Sequence, residues 1–425
     1  MRERPGRRGR VSLGPLGRTV LVSCVLAVLA ALAACGDPSI EGDTFPILVD
    51  RAAGAFVVDV REDGVQRRAV VDVMSPLTVV DVPAGTPVQR RGATLTVLGH
   101  RSETDPTLIA RAILRPAVLE LRPCASDAPC KIGGENDEVA IEAVIGADAL
   151  RGAAIRFQPA VDRLAILPDV AGDSGARDRA CDAEVPRPFY GGGTLQVGGT
   201  ELAFAGLRIA LGVCLSPDPT ATSDELRGTD AALVLSTGLG ISIIGEARYE
   251  AWRRVTNGPA LESLAEKTAL LPSGEPAPDL ARFDRLAIVG TSTAPRGACR
   301  TVYAHHLLAE RDCAPGDDCP CTSGDRSCAT PAILELAPGA PIEAIVVPDR
   351  HPLLQALRTE LRPEQPEIDG ILGVDALATT ELDVDYPNNR LLLRCVGAGC
   401  VARPAFRDVG DRSTIATCIS AAPTP

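Results

Sequence analysis

Hydrophobic positions along the chain fall into short runs with two different rhythms. Strict alternation at Ile155 and Phe157, and again at Leu382 and Val384, leads in each case to a turn and a closing apolar run. The turns, Ala160-Val161-Asp162 and Pro387-Asn388-Asn389, carry the residues that favour chain reversal, so strand, turn and strand is the predicted local form. Other apolar stretches are continuous and β-branched, such as Ala69-Val70-Val71 before Asp72, with Thr78-Val79-Val80 shortly after it. Helical periodicity covers only Gly245–Val255, Ala260–Leu271 and Pro352–Leu361. Each is short. The pattern predicts a sheet scaffold with helices as accessories.

Several of these patterns occur twice. Ile145-Gly146-Ala147-Asp148-Ala149-Leu150 recurs as Leu372-Gly373-Val374-Asp375-Ala376-Leu377, and Asp162-Arg163-Leu164-Ala165-Ile166 recurs as Asn389-Arg390-Leu391-Leu392-Leu393. Both pairs are 227 residues apart, without a gap, which marks an internal duplication. The run into Asp72 has a partner as well. Ala232 to Ile244 parallels Ala69 to Val80, with Ser236 where Asp72 stands in the first copy.

Read as a set, these blocks resemble the Asp-Thr-Gly-Ser/Thr signature of the aspartic peptidases, pepsin-like and retropepsin-like. In that family each lobe supplies one aspartate on a turn after a buried strand, and an apolar-apolar-Gly element, here the Gly146 and Gly373 blocks, underlies each turn. The resemblance implies a mainly β, two-lobed fold with a few short helices. It also implies a cleft between the lobes that takes an extended polypeptide by strand-like hydrogen bonding. The family's chemistry needs two facing carboxylates that share one proton, because like charges so close cannot both ionise. Here each copy departs from the signature differently. The first reads Asp72-Val73-Met74-Ser75, losing the Thr that braces the turns and the Gly that permits close approach. The second reads Ser236-Thr237-Gly238, keeping both and losing the carboxylate. Asp72 is therefore expected to be vestigial, with Ser236 replacing the second aspartate. An active endopeptidase would need Asp72 to work with another acid, of which Asp230 is the nearest in sequence.

The amino-terminal segment has a separate purpose. Six arginines precede the apolar run Thr19–Ala31, which is shorter than the roughly 20 residues of a membrane-spanning helix. The run ends in Leu32-Ala33-Ala34-Cys35, which resembles the bacterial lipobox, in which the cysteine is lipidated and becomes the mature amino terminus. Gly36 and Asp37 follow, and an outer-membrane anchor is expected in preference to the inner membrane. Residues 1–34 contain six Arg and one Glu, so their removal moves the formal charge from −12 to −17. Such acidity excludes a general role on nucleic acid or on anionic lipid surfaces. Membrane attachment is expected through the lipid alone.

An exported setting changes how the 14 cysteines are read. Setting aside Cys24 in the signal and Cys35 leaves an even number, and paired disulfides are the default in an oxidising compartment. Cys299, Cys313, Cys319, Cys321 and Cys328 cluster in a Gly/Asp/Pro-rich segment, with Cys395, Cys400 and Cys418 later. Cys124 with Cys130 would close a small loop, and Cys181 with Cys214 would tie a linker to the second half. The cluster lacks matched zinc-ligand spacing despite His305 and His306 nearby, so no metal and no cofactor are expected. Ser236 is not in a Gly-x-Ser-x-Gly elbow and no histidine can be assigned as its base, which argues against a serine nucleophile. The Gly191-Gly192-Gly193 run lacks a Lys-Ser/Thr ending and reads as turns, not as a phosphate loop. The hairpin region Gly92 to Leu121 contains no Tyr, and its His100 reads as a surface residue.

The expected organisation is a signal peptide over 1–34, a tether over 35–43, a first lobe over 44–169, a linker over 170–188, a second lobe over 189–400 and a tail over 401–425. From Asp72 to Gly146 is 74 positions and from Ser236 to Gly373 is 137. The 63 extra residues include a disulfide-rich insertion near 295–330. The expected function is that of an exported, lipid-anchored, catalytically inactive relative of the peptidases that binds a peptide or protein partner. A structural surface protein without a ligand is the plainer alternative.

Overall fold

In a computed structural model the described residues fall in five stretches, 41–168, 183–216, 228–263, 279–299 and 332–404, each with short interruptions. All lie in the unit Ile40–Pro425. The signal segment, Cys35, Cys124, Cys181, the Cys-rich run after Cys299, and Cys418 lie outside the described residues. Among the described residues no helix is long and apolar enough to cross a membrane.

Three large sheets build the fold, which is mainly β and two-lobed. A ten-stranded sheet is made from strands between Glu41 and Ile145, and an eleven-stranded sheet from strands between Phe189 and Pro404. The third has six strands in the order Ala183–Pro186, Arg390–Cys395, Thr380–Asp385, Ala153–Gln158, Arg163–Pro168 and Ile47–Leu48, so it draws on both halves of the chain.

The duplication seen in sequence is reproduced bond by bond. Ala143–Ile145 runs parallel to Val65–Val71 with Ile145 opposite Val71, and Gly370–Leu372 runs parallel to Thr229–Leu235 with Leu372 opposite Leu235. On its other side Val144 faces Val79 antiparallel, as Ile371 faces Ile243. Ile145 and Val144 are related to Leu372 and Ile371 by 227 residues, and Val71 and Val79 to Leu235 and Ile243 by 164. In the six-stranded sheet Ile155 pairs with Val384 and Phe157 with Leu382, and each pair maps onto the other under the 227-residue offset. Arg156 opposite Asp383 maps onto itself, so this pair sits on the approximate two-fold axis. Its guanidinium donates to both carboxylate oxygens, with Nε to Oδ1 at 2.6 Å, and reaches Glu381 at 3.0 Å.

With so few aromatic residues the core is aliphatic, and one cluster runs from Phe56, Val71 and Ile145 through Phe157 and Leu382 to Leu235 and Leu372. Phe56 and Phe157 meet edge to face at 5.1 Å. Two expected helices form, over Glu246–Thr256 and Pro352–Thr359. Of the third, Ala260–Leu271, only Glu262–Ser263 lie among the described residues, and they form a strand paired with Asp279 and Leu280. The segment read as a linker likewise ends in the strand Ala183–Pro186, which pairs with Arg390 to Leu393. Cys214 bonds to Cys299 rather than to Cys181, because Asp230 Oδ1 accepts from the Cys299 amide at 2.6 Å and brings it beside the strand that holds Cys214. A second disulfide joins Cys395 and Cys400.

Candidate functional site

The site is made where the two buried strands Val65–Val71 and Thr229–Leu235 end. Each strand turns sharply because its next residue is anchored to the underlying glycine block: the Asp72 amide donates to Ile145 O at 3.1 Å and the Ser236 amide to Leu372 O at 3.0 Å. The turns then receive bonds in return, from Ala147 N to Ser75 O at 2.8 Å and from Val374 N to Leu239 O at 2.9 Å. Gly146 N donates to the Thr78 hydroxyl, and Gly373 N to the Ser242 hydroxyl, both at 3.1 Å. Glycine is required at both places. A Cβ on Gly146 would lie 2.3 Å from Leu77 O, and one on Gly373 would lie 2.3 Å from Gly240 O.

These frames bring Asp72, Ser236, Thr237 and Gly238 together across the two halves. Asp72 Oδ1 accepts four hydrogen bonds, from Ser236 Oγ and Met74 N at 3.0 Å and from Thr237 N and Gly238 N at 3.2 Å. Among the described residues, none donates to Oδ2. Ser236 and Thr237 are fully buried and Asp72 keeps 9% of its surface. Burial pushes the Asp72 carboxyl above its ordinary value, opposed by the bonds from Met74, Ser236, Gly238 and Thr237. The Thr237 hydroxyl donates to Val71 O at 2.8 Å and accepts from Val73 N at 3.1 Å, fastening the first turn to the second. Val73, its counterpart, has no hydroxyl to return the bond, so the brace is one-sided. Gly238 is needed where it stands, since a Cβ there would lie 2.8 Å from Asp72 Cγ and 3.0 Å from Oδ2.

Met74 occupies the position corresponding to Gly238. It is buried with Tyr190, Val234, Leu354 and Leu357, all from the second half of the chain. Its carbonyl accepts from Arg208 Nη1, and the same guanidinium holds Glu360 through Nε to Oε2 at 2.6 Å and Nη2 to Oε1 at 2.8 Å. This cross-lobe clamp was not legible in sequence: Arg208 and Glu360 lie 152 residues apart with no motif around either. Thr78 and Ser242 were within reach, because they share the 164-residue offset of Asp72 and Ser236.

The remaining expected participants are elsewhere. Asp230 is engaged with the Cys299 amide, at the opposite end of the strand from Ser236, so it is not the second acid. His100 ends the strand Leu95–His100 opposite Leu108 and makes no hydrogen bond to Asp72. Asp148 accepts from the Thr78 hydroxyl at 2.6 Å, and burial raises its carboxyl as well. Chemically, the arrangement presents one carboxylate with one oxygen saturated and a hydroxyl where a second carboxylate would share its proton.

No protein-family description matches the chain, and no curated protein matches it in sequence. Among solved structures, the crystal structure of aspartic proteinase from Irpex lacteus is similar at 12% identity and a TM-score of 0.36, covering 83% of this chain and 97% of that one. The doubled turns and the sheet shared by both halves give a mainly β, internally duplicated fold, as the sequence resemblance implies.

Proposed function

We propose that this is a non-catalytic aspartic-peptidase-like protein, exported, lipid-anchored at Cys35 on the outer membrane of a bacterial envelope, that binds a polypeptide partner between its lobes. The observation that carries the reading is the hydrogen bond from Ser236 Oγ to Asp72 Oδ1. A hydroxyl there can donate but cannot hold a proton in common with Asp72, so the site lacks the paired acid and base that would activate water. Met74, packed with Tyr190, Leu354 and Leu357 and held through its carbonyl by Arg208, stands where the peptidase signature has glycine. A retained frame without its chemistry suits recognition, since a fold does not fix an activity.

The test is incubation of the purified protein and of Asp72→Asn with a broad peptide library from pH 3 to 7. Neither is expected to cleave. Cleavage by the wild type that disappears in Asp72→Asn would overturn the reading and require a second acid. Export and anchoring are tested by radiolabelled palmitate incorporation, expected in the wild type and absent in Cys35→Ala.

A further inference from the structure

Asp72 has a use that does not depend on catalysis. Its Oδ1 is saturated by four donors, yet no described residue donates to Oδ2 of this carboxylate, which is nine-tenths buried. Oδ2 is not among the buried polar atoms left without a partner, so it keeps contact with solvent and is the oxygen of this carboxylate open to an incoming donor. Gly238 has no Cβ, which would otherwise stand 3.0 Å from Oδ2. We infer that Asp72 Oδ2 receives a primary ammonium group of the polypeptide partner, either its amino terminus or a lysine side chain. This rests on the reading that a polypeptide occupies the interlobe site.

Three chemical alternatives fit less well. A guanidinium binds carboxylate best as a two-pronged fork, and Oδ1 has no capacity left for the second prong. A metal ion needs several ligands, and no group of three His, Cys, Asp or Glu side chains occurs among the described residues. A neutral hydroxyl or amide donor would satisfy Oδ2 but leave the charge uncompensated. An ammonium brings three donors, no acceptor and a full positive charge, and one N–H suffices to reach the single free oxygen. The formal charge of −12 steers cationic partners towards the molecule as a whole.

The experiment is equilibrium binding of three fluorescent random dodecapeptide pools to the purified protein at one ionic strength. One pool has free amino termini and no Lys, the second has acetylated termini and Lys, and the third has acetylated termini and no Lys. The third is expected to bind at least ten-fold more weakly than whichever of the first two is preferred, and that preference identifies the source of the amine. Asp72→Asn keeps an acceptor for the four donors and turns an amide NH2 towards the ligand, so it is expected to erase the difference. Equal binding of the third pool, or discrimination that survives in Asp72→Asn, overturns the inference while leaving polypeptide binding in place. Failure of every pool to bind overturns both.

Discussion

Asp72 gains four donors on one oxygen and loses most of its hydration, and the loss is the larger influence on its carboxyl. With the folded value raised above the unfolded one, the folded state holds this proton more tightly, so its contribution favours folding at low pH and fades as pH rises through the folded value. Asp72→Asn carries no charge to bury. It is therefore expected to melt above the wild type at pH 7, by a margin that narrows as pH falls towards the ordinary carboxylate value of 3.8. Thermal melts across that range check this, and a margin that stays constant with pH would contradict it. Thr237 tests the brace. Thr237→Val removes both the donor to Val71 O and the acceptor for Val73 N in a fully buried setting, an expected loss of about 1–3 kcal/mol for each stranded group, read by urea unfolding. At this scale the sequence exposed Asp72, Ser236, Thr237 and Gly238 because they sit in a repeated motif. The Arg208 clamp on Met74 stayed hidden because its members are brought together only by the packing of distant strands.

Elements were legible where two independent constraints agreed. The strands flanking Asp72 and Ser236 carry both an apolar run and a duplicate, and they form as expected. Where a weak helical period stood alone, the two described residues Glu262–Ser263 pair with a neighbouring strand instead. The linker strand Ala183–Pro186 gave no signal in its own polar and Pro-containing surroundings, since its partner Arg390–Cys395 lies some two hundred residues later. The glycine blocks give the sharpest prediction at this level. Gly146→Ala and Gly373→Ala each drive a methyl to 2.3 Å from a backbone carbonyl that has no flexible end to move aside. Each is expected to lose about 1–3 kcal/mol or more in urea unfolding, with losses of similar size because the two environments are copies. A neutral effect at either would show that the turn relaxes more easily than its hydrogen bonds imply.

For the whole molecule, the two halves share one sheet, and the part-buried ion pair on its approximate two-fold axis is the natural place to test their union. Arg156→Ala leaves Asp383 without its two-pronged partner beside Glu381 and is expected to cost about 1–3 kcal/mol, whereas a joint Arg156→Met, Asp383→Leu replacement is expected to recover most of that. A single cooperative unfolding transition in the wild type that splits in Arg156→Ala would show that this pair couples the lobes. The Cys214–Cys299 disulfide acts at the same scale. It closes a loop 85 residues long, and its removal as Cys214→Ala, Cys299→Ala is expected to lower stability by about 2–5 kcal/mol, measured against the oxidised wild type in guanidinium.

The two fixed offsets, 164 residues before the Gly245 amide and 227 from Asp369 onward, have a consequence for how this chain tolerates change. Every atom that positions Asp72 belongs to segments numbered by one offset or the other, and all the additional length of the second half falls between them. That interval is not spare length, because it carries Glu360 of the Arg208 clamp, Cys299 of the disulfide and the strands Asp279–Phe283, Leu286–Thr291, Ala332–Leu336 and Ile342–Val347 of the eleven-stranded sheet. A foreign sequence in its place would strip the sheet beside Ser242–Gly245 of its partner strand and leave the guanidinium that holds the Met74 carbonyl without Glu360.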